Sequence, residues 1–547
     1  MHLGWSIAGA LIAFSLAAYR PLFCDVWCQP VEKFATRFAR RKRFVIITVG
    51  VAALLSRIAL LRIWPIPVPA VHDEFSYLLA ADTFAHGKLT NPPHPLWIFL
   101  DTFHVLQKPS YASIFPPAQG AVLAVGQLLG HPWIGVLLTM AAMCMAVTWM
   151  LQAWFPAKWA LLGGILVLFR LGFFTYWLES YWGGAVAAIG GALVMGALPR
   201  ILRRQRTTDA FLMATGVAIL ANSRPLESLV FCVPVAASLF AWLLSRRSPP
   251  LRITARRVVF PALTILLATA VFMGCYDRRV TGNTFVLPHA LYDREYVNFP
   301  VFILQTPGPT FKYSNPQFES FFNGWVRDSR VQFSSRMKCL VFWQFFLSGA
   351  LSIPLVTLPW LMRDRRIRIL LLQFCLSALG LLSVTWFLPH YAAPLTATIF
   401  ALLVQSMRHL RRWEFGGKPM GIFLTRLVVF LVLMRVPIHL WQLPPAGRRW
   451  GWSRARVVAQ LQSMPEQQLA IVRYSSQHDV QHEWVYNAAD IDHSKIVWAR
   501  EIPGLDPKPL LQYFRNRKVW LVEADSYPVR LRPFDSLGAL QTNPPSP

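Results

Sequence analysis

The sequence predicts a polytopic α-helical membrane protein with about 11–12 transmembrane helices and a small C-terminal α/β domain on the extracytoplasmic side. Of its 547 residues, 55% are hydrophobic and only 15% are charged, a balance that is unusual for a soluble chain. Apolar runs of roughly twenty residues recur, the length that a helix needs to cross a bilayer. Lysine and arginine are concentrated in short segments between those runs.

The formal net charge of +28 fits membrane orientation better than nucleic-acid binding. The basic residues cluster in alternate short loops, which is the positive-inside pattern of cytoplasmic loops. No soluble segment combines a basic face with base-stacking aromatic residues, so we expect no nucleic-acid partner. The pattern therefore predicts a multi-pass protein of the cell inner (plasma) membrane.

The N-terminal segment, residues 1–43, is predicted to contain an apolar helix and a basic cytoplasmic stretch. Residues 3–18 have neither a basic start nor a small-residue cleavage site, so they resemble an extra helix more than a cleaved signal peptide. Whether this helix spans the membrane is left open. The basic stretch that follows anchors the cytoplasmic end of the span at about 44–64, which is therefore predicted to run outward.

The membrane region, 44–441, is predicted to pass eleven times through the bilayer. The predicted spans lie at about 44–64, 132–152, 158–175, 183–199, 209–222, 228–245, 258–275, 341–362, 369–387, 394–407 and 419–441. The predicted outer loops are about 65–131, 176–182, 222–227, 276–340 and 388–394. Within the first of these loops, 75–87 and 118–130 are predicted to form surface helices.

The tail from residue 445 to 547 is predicted to form a separate extracytoplasmic domain. Short β-rich runs lie at 468–474, 496–499 and 518–522, and a helical stretch lies near 508–516. The tail has no glycine-rich phosphate loop, so no cofactor site is predicted there.

Polar residues that could carry chemistry gather at the outer ends of the predicted spans. Asp73 and Glu74 follow the first span, and Glu179 lies in the next outer loop. The residues predicted to bind substrate or donor phosphate are His72, Lys108, Tyr111, Arg224, Glu227, Arg336, His390 and Tyr391. For Asp73 and Glu74 taken alone, a solvated helix flank explains the residues equally well. Their common location permits a single pocket at the outer membrane face.

The chemistry that suits such a pocket is transfer of a sugar from a lipid-linked phosphate. A carboxylate can deprotonate an acceptor hydroxyl as the hydroxyl attacks the anomeric carbon. Cationic groups can stabilise the charge that the leaving phosphate gains. Adjacent carboxylates repel each other, which can raise the proton affinity of one of them.

The first outer loop resembles the GT-C superfamily of membrane glycosyltransferases. The resemblance lies in an Asp-Glu pair, a surface helix, the proline turn 111–117 and a further apolar helix. It is strongest over 71–135 and closest to the protein O-mannosyltransferase, lipid A aminoarabinose transferase and Rgt-like branches. It implies that Asp73 is the catalytic acidic residue, that Glu74 is its neighbour, and that Glu179 assists catalysis or binds metal.

Two departures from the family pattern affect these assignments. The proline turn lacks the usual basic residue, and Lys108 is the nearest one. The second outer loop has no Asp-x-Asp, which disfavours the metal-dependent oligosaccharyltransferase type. The metal requirement is therefore left open between a divalent metal and none, with none favoured.

The sequence thus predicts an inverting glycosyltransferase, mannosyltransferase-like in its resemblance, with a periplasmic active site. Its donor would be a polyprenyl-phosphate-linked sugar, and its acceptor a glycan, a lipid or a protein of the cell envelope. Two alternatives are a lipid or solute transporter (flippase) and a non-catalytic envelope assembly factor. Transporters place polar residues at mid-membrane, whereas the enzyme interpretation requires them to cluster at one face.

Overall fold

The computed structural model describes residues 24–534 except 246–248, 298–299, 307, 309–310, 314, 326–333 and 442–450, together with residues 15, 19 and 22. The predicted N-terminal helix at 3–18 therefore lies outside the described residues, apart from residue 15. The predicted fold class is confirmed: the chain is a helical polytopic protein with a C-terminal mixed sheet.

Apolar helices form the membrane region, and short polar or proline-containing segments separate them. The helices before the long polar loop are α1 (Asp25–Ala39), α2 (Lys42–Ala59), α3 (His72–Ala85), α4 (Pro117–Leu128), α5 (Pro132–Trp154), α6 (Ala157–Leu171), α7 (Ala185–Arg204), α8 (Thr207–Ala221), α9 (Pro225–Leu243) and α10 (Leu251–Thr281). Those from the long loop onward are α11 (Pro288–Tyr296), α12 (Ser335–Phe346), α13 (Ser348–Arg363), α14 (Arg365–Ser383), α15 (Thr396–Arg411) and α16 (Met420–Trp441). Proline at the first position of several helices suits a site whose N–H would be unpaired in any case.

Each of the eleven predicted spans contains a helix, but fewer helices are long enough to cross a bilayer. Among the described residues, seven helices are long and apolar enough to cross a membrane. The number is eight if the bent pair α12 and α13 is one span. The other three predicted spans correspond to α6, α8 and α15, which have 15, 15 and 16 residues. At about 1.5 Å per residue they fall short of a hydrocarbon core about 30 Å thick.

Contacts between pairs of loops link all five predicted outer loops into one region, here called the loop face. The loops 65–131 and 222–227 are joined by the hydrogen bond from Ala118 N to Asn222 O (3.0 Å). Tyr292 of the long loop accepts a hydrogen bond from the backbone of the first loop, and the 176–182 and 388–394 loops share a Tyr–His contact. The surface helices α3 and α4 also lie in the first loop. Between them are two short antiparallel strands of two residues each, β1 (Val105–Leu106) and β2 (Ala112–Ser113).

The C-terminal unit, defined by residues 451–534, is a four-stranded mixed sheet with two helices. Its elements are α17 (Trp452–Gln462), β3 (Gln468–Arg473), β4 (Ile496–Arg500), α18 (Lys508–Tyr513), β5 (Lys518–Glu523) and β6 (Arg530–Pro533). The strand order is β4-β3-β5-β6, with β3 parallel to β4 and β5, and β6 antiparallel to β5. The central strand β3 is buried over nearly its whole length, as expected for a strand covered on both faces.

Candidate active site

Glu74 fixes the start of helix α3. Its Oε2 accepts hydrogen bonds from the backbone N–H groups of Ala70 (2.7 Å) and Val71 (3.0 Å), and its Oε1 accepts one from the N–H of Tyr181 (3.0 Å). A carboxylate in this position satisfies donors at the start of the helix. Burial raises the pKa of Glu74 to about 7 despite these hydrogen bonds. Glu74 therefore ties the first loop to the loop 176–182, and both of its oxygens are engaged.

Asp73, the predicted general base, lies in the first turn of α3 beside two histidines. Its Oδ1 is 3.1 Å from Nδ1 of His104, and its Oδ2 is 4.0 Å from Nδ1 of His72. The two imidazole Nδ1 atoms are 3.1 Å apart. The His72 side chain is buried, with 4% exposed, whereas those of Asp73 and His104 keep 18% and 19% exposed. The cluster is thus accessible from the side of Asp73 and His104.

Burial and the neighbouring charges shift the pKa values of Asp73 and His72. Burial raises the pKa of Asp73, but His104 and His72 outweigh it and the pKa falls to about 2. Burial, and to a smaller extent the neighbouring His104, lower the pKa of His72 to about 3. At neutral pH the site therefore presents an ionised carboxylate beside a neutral His72.

The backbone holds His104 in an uncommon conformation. Its φ is 59°, in the left-handed region that non-glycine residues seldom adopt. Its N–H donates to the hydroxyl of Tyr292 (3.1 Å), and its carbonyl accepts a hydrogen bond from Ser76 Oγ (2.6 Å). Non-glycine residues held in this region concentrate at functional sites. The first loop and the long loop together fix the His104 ring against Asp73.

Glu179 pairs with a buried arginine and not with Asp73. The Nε of Arg57 lies 2.9 Å from Glu179 Oε1, and the indole N–H of Trp64 donates to Oε2. The Arg57 side chain is 1% exposed, and its remaining donors bind the carbonyls of Trp64 and Pro65. The structure therefore does not bring Glu179 together with Asp73. Glu179 joins the end of α2 to the 176–182 loop.

Arg224, His390 and Tyr391 do converge at the loop face. The Arg224 guanidinium lies over the ring of Tyr391, 4.5 Å from its centre. The hydroxyl of Tyr176 accepts a hydrogen bond from the backbone N–H of His390 and is hydrogen-bonded to its Nδ1, both at 2.9 Å. Burial lowers the pKa of His390 well below its usual value, and the nearby Arg224 acts in the same direction, while Asp73 opposes them. His390 is therefore a neutral group within electrostatic range of Asp73.

A cavity of about 330 Å³ opens beside these residues. It is lined by Arg224, Glu227 and Tyr391, by Tyr77 and by the proline turn at 115–117. Tyr77 follows Asp73 by four residues, so the two lie on the same side of α3, one turn apart. The ring of Phe115 stacks on Tyr77 at 4.5 Å and also contacts the ring of His104 at 5.5 Å, edge to face. The proline turn thus lies between the Asp73 cluster and the cavity.

A narrow apolar groove continues from this cavity into the bundle. It lies between α9 and α14, is lined by Val230, Phe231, Gly380 and Leu381, and shares Glu227 and Tyr391 among other residues with the cavity. Glu227 lines both spaces at their junction, where its carboxylate is within electrostatic range of Arg224.

Three predicted binding residues lie away from this pocket. Lys108 is exposed, and its ammonium lies over the ring of Trp97 (4.4 Å). Tyr111 is buried and donates its hydroxyl hydrogen to the carbonyl of Asn487 in the C-terminal unit (3.0 Å). Arg336 is exposed at the start of α12. None of the three lines the cavity.

Sequence reasoning missed His104, Tyr77 and an ion pair at the cavity wall. His289 and Asp293 line the cavity and contact each other at 2.9 Å between Nδ1 and Oδ2. Their i,i+4 spacing is visible in the sequence, but nothing in that spacing separates them from an ordinary surface pair. His104 lies in an irregular part of the first loop, where periodicity gives no orientation.

No protein-family model matches the sequence, and no curated protein matches it. Among solved structures, ArnT from Cupriavidus metallidurans bound to undecaprenyl phosphate has a TM-score of 0.49 at 12% identity, over 90% of this chain and 94% of that one. The Archaeoglobus fulgidus oligosaccharyltransferase tethered with an acceptor peptide has a TM-score of 0.45 at 11% identity, over 87% of this chain and 69% of that one. The structural similarity to both extends over most of this chain, at low sequence identity.

Proposed function

We propose that this chain is a membrane glycosyltransferase that moves a sugar from a polyprenyl-phosphate donor to an acceptor hydroxyl at the extracytoplasmic face. The observation that carries the proposal is the position of Asp73. It is an ionised carboxylate at the loop face, one helical turn from a cavity that also holds Arg224 and Tyr391. The Asp-Glu resemblance of the first loop adds to this geometry.

Arg224 would hold the donor phosphate. Its guanidinium lines the cavity and is oriented by stacking on Tyr391, so its planar donors can meet phosphate oxygens. The apolar groove between α9 and α14 begins at the same place and would take the first isoprene units of the lipid tail. The phosphate gains negative charge as the bond to the sugar breaks, and a fixed cation beside it stabilises that charge.

Asp73 would receive the proton of the acceptor hydroxyl. With a pKa of about 2 it is a weak base toward a free alcohol. The hydroxyl becomes strongly acidic only as its oxygen bonds to the anomeric carbon, so the proton moves late, in an oxocarbenium-like transition state. The bond to the phosphate breaks on the opposite face of the sugar, the polyprenyl phosphate leaves, and the configuration inverts.

Glu74 and Glu179 would have structural roles in this scheme and would not contact the reacting atoms. Glu74 binds backbone N–H groups at the start of α3, and Glu179 is the counter-ion of Arg57. His390 and Tyr391, within electrostatic range of Asp73, would contact the sugar or the phosphate.

The enzyme is favoured over a transporter by where the polar groups lie. Asp73, Glu179 and His390 occur in loops or at helix starts outside the helices long enough to span, and not at the middle of a span. Midplane polar sites are the usual mark of transporters.

The test uses the purified full-length protein and a panel of synthetic undecaprenyl-phosphate monosaccharides, with envelope extract as the acceptor source. Mass spectrometry measures the undecaprenyl phosphate released. We expect Asp73→Asn to lower release by about 10²- to 10⁴-fold, the usual contribution of a general base, with an unchanged thermal midpoint. Asp479→Asn, which alters an exposed carboxylate of the C-terminal unit, is the matched control. Wild-type release from Asp73→Asn would contradict the proposal.

A further inference from the structure

Two histidines and a carboxylate of the first loop converge on one point. The atoms that could bind a metal are Nδ1 of His72, Nδ1 of His104 and a carboxylate oxygen of Asp73, and all lie within 4.8 Å of one another. Nδ1 of His104 is 3.1 Å from both His72 Nδ1 and Asp73 Oδ1. We infer that this triad is a binding site for one divalent transition metal ion.

The separations match those of ligands around a single ion. With metal-ligand bonds of about 2.0–2.1 Å, neighbouring ligand atoms are roughly 3.0 Å apart in an octahedron and 3.4 Å apart in a tetrahedron. The two 3.1 Å separations fit this range. The third, 4.0 Å from His72 Nδ1, is to the other carboxylate oxygen, Asp73 Oδ2, so the carboxylate would have to rotate toward His72 to bind the same ion. Without an ion, two facing imidazole nitrogens can share only one proton between them.

The surroundings hold the ligands in place. His104 is kept at φ 59° by hydrogen bonds to Tyr292 and Ser76. The His72 ring packs between Phe103 and Phe321, each at 5.3 Å between ring centres. Such an apolar shell limits access of water to an ion and strengthens its field. The backbone conformation thus fixes the position of His104, and the aromatic rings fix that of His72.

The donor set selects the class of ion. Two imidazoles and one carboxylate suit Zn²⁺, Mn²⁺, Fe²⁺ or Co²⁺, whereas Mg²⁺ and Ca²⁺ prefer oxygen ligands alone. Three protein ligands leave at least one coordination position open, as catalytic sites do. Glu179, the carboxylate that the family resemblance offered as a metal ligand, is held by Arg57 and takes no part.

The consequence for catalysis rests on the proposed function. An ion held by the triad would lie directly beside Asp73, the candidate base. It would lower the pKa of a hydroxyl bound in its open position, so that this hydroxyl would give up its proton more readily. The proton would pass to the Asp73 oxygen that does not bind the ion, and the hydroxyl oxygen would attack the sugar as before.

Metal binding is tested on the full-length protein, purified without a histidine tag and stripped with chelator. Zn²⁺ is titrated by isothermal calorimetry, and bound metal is counted by elemental mass spectrometry after desalting. We expect one equivalent in the wild type and at least about 100-fold weaker binding in His104→Ala and His72→Ala. His86→Ala, which alters an exposed histidine immediately after the C-terminal end of α3, should bind as the wild type does. Thermal midpoints identify variants that fail to fold, and His104→Gln then replaces His104→Ala.

Equal binding by the wild type and a folded His72 or His104 variant would overturn the inference, as would binding of less than one equivalent. The readout is independent of turnover. A protein that binds one equivalent but releases no undecaprenyl phosphate would contradict the proposed function and leave the metal site standing. A protein whose release persists after chelation, without binding Zn²⁺, would contradict the metal site alone.

Discussion

At the scale of single residues, the decisive distinction is between charges that face the cavity and charges that are already compensated. Arg57 is 1% exposed and contacts Glu179, the carbonyls of Trp64 and Pro65, and the ring of Trp133 at 4.8 Å. Every group in this set is bound to another, so it stabilises the end of α2 and leaves nothing for a substrate. Asp73 and Arg224 differ, because Arg224 lines the cavity and the Asp73 side chain, one helical turn from it, remains 18% exposed.

This distinction predicts how Glu179 variants behave. Glu179→Ala leaves the buried Arg57 without its counter-ion, which costs about 3–5 kcal/mol in comparable pairs. We expect the thermal midpoint in detergent to fall by several degrees, with wild-type release of undecaprenyl phosphate per folded molecule. The double variant Arg57→Met with Glu179→Leu should recover most of the stability. Lost release at an unchanged midpoint would instead place Glu179 in the chemistry.

At the scale of elements, the turn Pro389–Leu395 is positioned by close contact with helix α7. A Cβ on Gly191 would lie 2.0 Å from the carbonyl oxygen of Pro394. The obstacle is backbone, so a side chain at this position must displace the turn that carries His390 and Tyr391.

We therefore expect Gly191→Ala to lower undecaprenyl phosphate release by about 10-fold or more, because displacements near 1 Å can cost up to about 10²-fold. Gly349→Ala is the matched control, since its Cβ would meet nothing within 4 Å in a helix of similar apolar character. It should leave release unchanged and stability equal or slightly higher. Wild-type release from Gly191→Ala would show that this turn does not position the reacting groups.

The elements were largely predictable from the sequence, whereas the partners of the charged residues were not. Hydrophobic length and basic loops fix where α2, α5 and α10 lie, because burial in a bilayer acts on whole segments. The ion pair between Arg57 and Glu179 joins residues 122 apart and depends on how helices pack. The same holds for His104 beside Asp73, since its orientation is set by Tyr292 from another loop.

At the scale of the whole molecule, the C-terminal unit covers the helix that carries the candidate base. Asp82 Oδ2 accepts a hydrogen bond from the N–H of Ala489 (2.7 Å), and Arg500 donates to the carbonyl of Asp101 (3.4 Å). Such contacts reach both α3 and the loop that leads to His104. The unit therefore acts as a support for the first loop, in addition to any role in binding an acceptor.

The contact with the clearest prediction is the stack of Tyr486 on Phe75, two residues after Asp73. The two rings are nearly parallel with their centres 4.3 Å apart, and the Arg454 guanidinium lies over Phe75 at 4.5 Å.

Removing the Tyr486 ring deletes one of the two groups that pack against Phe75, so the backbone of α3 should be exposed to solvent more often. We expect Tyr486→Ala to speed hydrogen exchange in peptides covering 72–85 and to lower release. A double-mutant cycle with Phe75→Ala should give a coupling of about 0.5–1.5 kcal/mol. Tyr527→Ala, whose parent side chain is 98% exposed, should change neither measurement. Unchanged exchange in 72–85 for Tyr486→Ala would mean that α3 is held by the membrane bundle alone.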